Sequence, residues 1–240
     1  SFTKMHGAGN DFVMIDDRSL RVPWQDYLRM AALATRRLGV GCEGIILIQP
    51  SDRADFRMRF LNPDGTEVEL CGNGARCSAA FAHRLGAAGR YMTMETLAGL
   101  VDAEIQPTGV KLWMPEPSGR RYDLAVEVDD RLFEGHAITV GVPHFVIPVD
   151  DLSTLDVMRY GSLIRQHTTF APHGTNVDFI KYCPSNRILM RTYERGVEAE
   201  SGACGTGAVA TAIVAIERGD FTLPVSITTS TGFELQVDFY

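Results

Sequence analysis

The chain has 240 residues, of which 45% are hydrophobic and 22% are charged, which is enough apolar content for one large domain or two small ones. Its formal net charge is −7 and its lysines and arginines do not cluster, which argues against binding to nucleic acid or to an acidic membrane surface. No apolar stretch is long enough to span a bilayer and the first residues lack a signal-peptide pattern, so we expect a cytoplasmic protein.

The predicted elements of the first half combine short strands with two helices. Runs rich in β-branched residues at 12–15 and 45–48 predict strands. Apolar residues at positions 24, 27, 28 and 31 predict an outer helix over residues 24–38, ended by Gly39. A second helix is predicted after Cys71, ending at Gly86; because it is apolar on most sides, we expect it to be buried. A closing strand is predicted over residues 110–114.

The chain contains an internal repeat, with 133 residues between equivalent positions. Cys71-Gly-Asn-Gly-Ala75 recurs as Cys204-Gly-Thr-Gly-Ala208, and seven of sixteen residues are identical between 71–86 and 204–219. The same offset relates Phe12-Val13 to Phe145-Val146. A repeated motif in a fixed register indicates a duplicated domain.

The second half is predicted to repeat the first. Strands are expected at 145–147 and 227–229, with a buried helix from Cys204 to Gly219. We place the boundary in the Pro- and Gly-rich stretch 115–120, which gives domains 1–117 and 118–240. The predicted fold class is α+β, with two pseudo-symmetric domains, each a mostly antiparallel sheet around a central helix. The counterpart of the strand at 110–114 would begin beyond residue 240, so we expect either that the second domain lacks it or that the chain is cut short.

The cysteines point to thiol chemistry without a metal. An odd number, five, with no secretory signal predicts reduced thiols. No pair has the spacing of zinc ligands, so we expect no metal ion. We interpret Cys42, Cys77 and Cys183 as small buried apolar residues.

Each Cys-Gly-x-Gly motif combines a thiol with a site for an anion. The amino terminus of a helix carries free N–H groups and partial positive charge, which favour a carboxylate and lower the pKa of a thiol. Two such motifs related by pseudo-symmetry are expected to face each other across a cleft. One thiolate would remove an α-proton from one face of a carbon and the opposite thiol would return a proton to the other face, as in a two-base epimerase.

The chain resembles the diaminopimelate epimerase family over nearly its whole length. The matching stretches are His6-Gly-Ala-Gly-Asn-Asp-Phe12, Phe60-Leu-Asn-Pro-Asp-Gly65, Cys71-Gly-Asn-Gly-Ala-Arg-Cys77, Pro143-His144, Thr175-Asn176, Tyr193-Glu-Arg-Gly196 and Ala203-Cys-Gly-Thr-Gly207. The resemblance implies an enzyme of lysine and cell-wall synthesis that converts L,L- to meso-diaminopimelate without pyridoxal phosphate or another cofactor. It also allows a homodimer.

The resemblance assigns roles to individual residues. Cys71 and Cys204 correspond to the acid–base pair. Backbone at Gly72-Asn73 and Gly205-Thr206 corresponds to the cradle of the reacting carboxylate. Further substrate contacts correspond to Asn10, Asn62, Asn176, Glu194 and Arg195. A distal site needs an Arg for a carboxylate and an acidic residue for an ammonium group, and Glu194-Arg195 supplies both.

The sequence departs from the family pattern at two contacts and leaves other functions open. Val142 stands where many relatives have a substrate-binding Asn, and Gly44 where some have a Gln. A racemase of another amino acid, such as proline or histidine, would share the architecture. A non-catalytic amino-acid-binding protein would not need both cysteines. A cysteine hydrolase could recruit His6, His83 or His144, but it needs only one nucleophile.

Overall fold

A computed structural model describes residues 1–129, 131–219 and 221–239. Internal contacts divide the chain into two compact units, Ser1–Trp113 and Met114–Tyr240. No helix in the described ranges has the length and apolar character needed to cross a bilayer.

The first unit, all of whose residues are described, is a curled mixed sheet of eight strands and two helices. In chain order the elements are β1 (Thr3–Gly7), β2 (Asn10–Asp16), α1 (Tyr27–Ala34), β3 (Gly44–Gln49), β4 (Phe56–Leu61), β5 (Glu67–Val68), α2 (Gly72–Arg84), β6 (Tyr91–Thr96), β7 (Gly99–Gln106) and β8 (Gly109–Leu112). The strands pair in the order β1-β2-β3-β4-β6-β7-β8, with β5 beside β4. Two pairs, β2–β3 and β4–β6, are parallel, and the others are antiparallel.

Helix α2 forms the core of this unit because its small residues let the sheet curl closely around it. Ala75, Ala79 and Ala82 are fully buried against side chains of the surrounding strands. The helix ends in a Schellman motif: Gly86 has a φ of +66°, and the N–H of Ala87 donates to the Ala82 carbonyl at 2.9 Å. The predicted buried helix ending at Gly86 is therefore confirmed.

Helix α1 packs on the opposite face of the sheet and is shorter than predicted. Asp26 caps its first turn by accepting from the Arg29 N–H at 3.1 Å. The helix ends at Ala34, because Thr35 is extended and Arg37 has a φ of +71°. The prediction of a helix over residues 24–38 is therefore wrong at both ends. Its inward residues are Met30 and Ala34.

The described part of the second unit repeats this arrangement. Its elements are β9 (Ser118–Val128), β10 (Arg131–Val140), β11 (Val142–Pro148), α3 (Val157–Arg165), a 3-10 turn (Thr168–Phe170), β12 (Asn176–Cys183), β13 (Arg187–Glu194), β14 (Ala199–Ser201), α4 (Gly205–Glu217), β15 (Val225–Thr228) and β16 (Glu234–Val237). The strands pair in the order β16-β15-β13-β12-β11-β10-β9, with β14 beside β13. The parallel pairs are β11–β12 and β13–β15, at the positions equivalent to those in the first unit.

The pseudo-symmetric α+β fold is thus confirmed, with a sheet that is mostly antiparallel but mixed. Helices α2 and α4 begin and end 133 residues apart. Helix α4 is buried along most of its length, as predicted. Strand β8 confirms the predicted closing strand of the first unit, and residues equivalent to it would fall beyond residue 240. The second unit also carries a strand, β9, that has no counterpart in the first unit and lies at the edge of its sheet beside β10.

Candidate active site

Both cysteines cap the helix that their sheet surrounds. Cys71 has extended backbone angles, and its sulfur accepts from the Gly74 N–H at 3.5 Å. Cys204 does the same for α4, accepting from the Gly207 N–H at 3.4 Å. Such a cap places a sulfur among the free N–H groups of the first turn, where negative charge is favoured. The predicted position of each thiol at a helix amino terminus is confirmed.

The second glycine of each motif lies against a side chain of its own unit, more tightly at Gly207 than at Gly74. A Cβ at Gly207 would lie 2.5 Å from Oδ1 of Asp178, and a Cβ at Gly74 would lie 3.0 Å from Cδ1 of Ile46. The missing side chains of these glycines let a neighbouring side chain approach the helix.

The Cys204 motif is joined to a buried carboxylate through three hydrogen bonds. The sulfur lies 3.4 Å from Oγ1 of Thr206, which lies 2.9 Å from Nε2 of His144. His144 Nδ1 lies 2.7 Å from Oδ2 of Asp178, and Oδ1 of Asp178 accepts from Thr192 Oγ1 at 2.7 Å. His144 and Asp178 are fully buried. Because a carboxylate only accepts, Nδ1 of His144 carries hydrogen, and in the neutral ring Nε2 accepts from Thr206.

Burial decides the protonation of Cys204. Desolvation raises the pKa of the Cys204 thiol well above its usual range, and the negative charges of Glu194 and Asp178 raise it further. The hydrogen bonds of Thr206 and the Gly207 N–H lower that pKa, but they do not reverse the effect. The expectation that the helix terminus depresses the thiol pKa is therefore wrong for Cys204, which is held in its protonated form.

The Cys71 motif has different neighbours. Asn73, in the first turn of α2, is buried and donates from Nδ2 to Oδ1 of Asn10. Asn10 in turn donates to Glu43, and Arg76 donates to Oδ1 of Asn73. The structure therefore brings together two of the predicted site residues, Asn10 and Asn73, beside Cys71.

Asn62 lies in the hydrogen-bonded hairpin turn between β4 and β5. Its backbone N–H donates to the Thr66 carbonyl at 2.8 Å, and its carbonyl accepts from Gly65 at 2.9 Å. The strands on either side are joined by the ion pair of Arg59 and Glu67 at 2.6 Å. In the described part of the chain, the Asn62 side chain makes no hydrogen bond to another predicted site residue.

Three predicted residues lie at the end of β13 and the start of β12. The Arg195 backbone N–H donates to Oδ1 of Asn176 at 2.7 Å, and Arg195 Nη1 donates to the His173 carbonyl at 3.2 Å. Glu194 lies close enough to Cys204 for its charge to affect that thiol. The structure thus groups Asn176 with Arg195, and Glu194 with Cys204.

The structure shows the surroundings of the two positions that depart from the family resemblance, Gly44 and Val142. A Cβ at Gly44 would lie 2.3 Å from Cε2 of Phe60 and 3.2 Å from the Leu61 carbonyl oxygen, so the sheet leaves no room there for a longer residue. Val142 begins β11, is half-buried and pairs with Val140. Neither position offers a polar side chain to a substrate.

The remaining cysteines differ in their burial. Cys42 and Cys77 are buried as predicted, whereas Cys183 is only half-buried. Desolvation raises the pKa of Cys77 to about 12 and also raises the pKa of Cys42. Within the described ranges, no three His, Cys, Asp or Glu side chains are grouped to hold a metal ion.

Sequence reasoning missed the partners of the motifs. The sequence assigns no individual role to Asp178, Thr192, Glu43 or Arg76, and it offers His144 only within a matching stretch and as a candidate for the alternative hydrolase. One signal was available for Asp178: it is an isolated acidic residue between Val177 and Phe179, a pattern that indicates a buried, partnered carboxylate.

Comparisons with known proteins place the chain in a family. The family model described as diaminopimelate epimerase matches residues 2–118 and 136–238. The diaminopimelate epimerase of Aquifex aeolicus is 42% identical over 99% of this chain and 89% of its own length. That of Archaeoglobus fulgidus is 40% identical over 97% of this chain and 87% of its own length.

Solved structures share the fold at low identity. A hydroxyproline epimerase from Agrobacterium vitis matches with a TM-score of 0.72 and 18% identity, covering 98% of this chain and 82% of the other. A probable proline racemase from Agrobacterium radiobacter matches with a TM-score of 0.74 and 17% identity, covering 98% of this chain and 83% of the other.

Proposed function

This chain belongs to the diaminopimelate epimerase family, and we propose that it interconverts L,L- and meso-diaminopimelate with two thiols and no cofactor. The observation that carries this proposal is the repetition of one arrangement: Cys71 and Cys204 each cap a buried helix and accept from the N–H three residues on. A protein that only binds amino acids could use both helix amino termini as anion sites, but it would have no need for a thiol at each of them. A hydrolase would need one nucleophile.

In the proposed reaction, Cys71 acts first as the base and Cys204 as the acid. The Cys71 thiolate takes the α-proton, and the electron pair of the broken C–H bond remains on the substrate. The Cys204 S–H then gives its proton to the opposite face of the same carbon. This leaves Cys71 protonated and Cys204 as a thiolate, which is the state that carries out the reverse reaction. The raised pKa of Cys204 supports its assignment as the acid.

The thiolate that forms on Cys204 has hydrogen-bond donors ready to receive it. The Gly207 N–H points at the sulfur, and the Thr206 hydroxyl can rotate from His144 toward it. Both bonds favour the charged form. We propose that the first-turn N–H groups at Gly72, Asn73, Gly205 and Thr206 hold the substrate carboxylate, where they stabilise the negative charge that develops on deprotonation.

The other end of the substrate is assigned to polar side chains. We propose that Asn10, Asn62, Asn176, Glu194 and Arg195 contact diaminopimelate, with the Arg195 guanidinium for a carboxylate and Glu194 for an ammonium group. Charged partners give directional recognition of the ammonium and carboxylate groups at the second end of the substrate. We further propose that the enzyme acts in the cytoplasm on this small molecule, as a homodimer of protomers with repeat domains 1–117 and 118–240, and binds no nucleic acid.

The proposal is tested by exchange of the substrate α-proton in deuterated water. The wild-type chain should exchange and epimerise diaminopimelate but not proline or histidine. Cys71→Ala and Cys204→Ala should each abolish epimerisation with unchanged circular dichroism. Cys183→Ala, a thiol outside both motifs, is the matched control and should retain activity. Substantial epimerisation by either motif variant, or turnover of proline in preference to diaminopimelate, would contradict the proposal.

A further inference from the structure

Four side chains of the first unit form a continuous hydrogen-bonded row beside Cys71. Arg76 donates to Oδ1 of Asn73, Asn73 Nδ2 donates to Oδ1 of Asn10, and Asn10 Nδ2 donates to Oε2 of Glu43. The row crosses three elements, since Arg76 and Asn73 lie on α2, Asn10 begins β2 and Glu43 directly precedes β3.

The two ends of the row determine the orientation of both amides between them. A guanidinium only donates hydrogen bonds and a carboxylate only accepts them. Rotation of Asn10 by 180° would place its Nδ2 against Nδ2 of Asn73 and its Oδ1 against the Glu43 carboxylate. Both contacts would then be repulsive. The amide nitrogen of Asn10 is therefore held on the Glu43 side, with its second hydrogen in a defined direction.

The backbone brings the row together through a close approach. The β1–β2 turn has positive φ at Ala8 (+50°) and Gly9 (+97°), which is typical of a tight hairpin turn. A Cβ at Gly7 would lie 2.6 Å from the Asn73 carbonyl oxygen. The missing side chain of Gly7 thus lets the hairpin rest on the first turn of α2, which places Asn10 against Asn73.

Among the described residues of the second unit, the equivalent positions form no such row. Positions 133 residues later hold, in the order of the row, Val209, Thr206, Pro143 and Asn176. None of these four is charged, and the Cys204 motif uses His144 and Asp178 instead. The row is therefore a specialisation of one repeat rather than a requirement of the duplicated fold.

We propose that Glu43 is a positioning residue for substrate recognition, which fixes the amide of Asn10 so that its N–H donates to the substrate. This inference rests on the proposed function, because it assumes that Asn10 contacts diaminopimelate. Glu43 itself is half exposed, at 48% of its side chain, and needs no contact with the substrate. Its effect would pass through Asn10.

The inference predicts the opposite of what simple charge would give. Removing an acidic residue near a site for a carboxylate should strengthen binding by Coulomb attraction alone. If Glu43 positions Asn10, Glu43→Ala should instead raise KM by about tenfold with little change in kcat, because a hydrogen bond to a charged group typically corresponds to about one factor of ten or more. Glu43→Gln keeps an acceptor and should restore KM to within about twofold of wild type.

A hydrogen-bond donor at position 43 should weaken substrate binding more than removal of the side chain does. Glu43→Lys can only donate, so it favours the flipped Asn10 amide, and its KM should exceed that of Glu43→Ala. The matched control is Arg36→Ala, which removes the guanidinium that Glu43 shares with Asp11, at 3.7 Å from Glu43 and 2.5 Å from Asp11, but leaves the acceptor for Asn10. This variant should keep the wild-type KM.

The experiment measures kcat and KM for diaminopimelate in all four variants, with circular dichroism to confirm folding. The proposal is supported if KM is highest for Glu43→Lys, lower for Glu43→Ala and lowest for Glu43→Gln. It is overturned if Glu43→Ala binds as tightly as wild type, if Gln behaves like Ala, or if Arg36→Ala reproduces the defect. A wild-type chain that does not exchange the α-proton of diaminopimelate would instead refute the proposed function.

Discussion

Replacement of Gly207 by Ala tests whether the buried carboxylate next to Cys204 controls that motif. The added Cβ would lie 2.5 Å from Oδ1 and 3.1 Å from Cγ of Asp178. Asp178 is fully buried and held by two hydrogen bonds of 2.7 Å, from Thr192 and His144. It therefore cannot move away without breaking one or both of them.

The expected cost follows from these contacts. Gly→Ala in a helix stabilises by about 1 kcal/mol when the new methyl group has space. Displacing Asp178 loses a hydrogen bond to a charged group, about 1.5–3 kcal/mol, and one from a hydroxyl, about 1 kcal/mol. The net destabilisation is about 2 kcal/mol, which corresponds to a lower urea midpoint by about 1 M at an ordinary denaturant slope.

The equivalent glycine of the first unit provides the matched control. A Cβ at Gly74 would lie 3.0 Å from Cδ1 of Ile46 and 3.3 Å from Cε of Met58, the ends of flexible side chains that can shift by a few tenths of an ångström. Gly74→Ala should therefore stay within about 1 kcal/mol of wild type. Urea unfolding followed by circular dichroism measures both variants. Equal stability of the two, or a more stable Gly207→Ala, would refute the role assigned to Asp178.

Further predictions concern titration and recognition. Thr206→Val removes a hydrogen bond that lowers the Cys204 pKa, so alkylation of Cys204 by iodoacetamide should become fast only at a higher pH than in wild type. Glu194→Gln removes a negative charge that raises this pKa, so the same alkylation profile should move to lower pH. Shifts in the same direction for both variants would contradict the assignment. Because burial raises the pKa of Cys77 from 9.0 to about 12, its contribution to stability is present below about pH 9 and is lost as pH rises toward 12, and the fall in unfolding free energy over this range should be smaller in Cys77→Ala. Arg195→Ala should raise KM for diaminopimelate by about tenfold or more, since it removes the charged partner proposed for a substrate carboxylate. An unchanged KM would show that Arg195 does not bind the substrate.

The sequence predicts much of the fold because the repeat and the local signals agree. The register of 133 residues locates equivalent strands in both units, and the Cys-Gly-x-Gly motifs place the starts of α2 and α4 correctly. The length of α1 was mispredicted because apolar spacing continues past Ala34, while the backbone turns at Thr35 and Arg37. A hydrophobic pattern shows which side of a segment can be buried, but not where its backbone leaves the helix.

Tertiary structure alone decides the surroundings of each motif. His144, Asp178 and Thr206 lie far apart in the chain and meet only because β11 and β12 pair in parallel beside the start of α4. In the same way, Glu43 reaches Asn10 because β2 and β3 are neighbours.

The sequence by itself determined where the two thiols lie, because a helix cap depends on residues three positions apart. It could not determine their protonation or the orientation of the amides beside them. The pKa of Cys204 depends on desolvation and on charges brought by other strands, and the Asn10 amide depends on acceptors and donors 33 and 63 residues away. Those quantities are set by the packing of distant segments, so equivalent motifs in two repeats acquire different chemistry once each has folded.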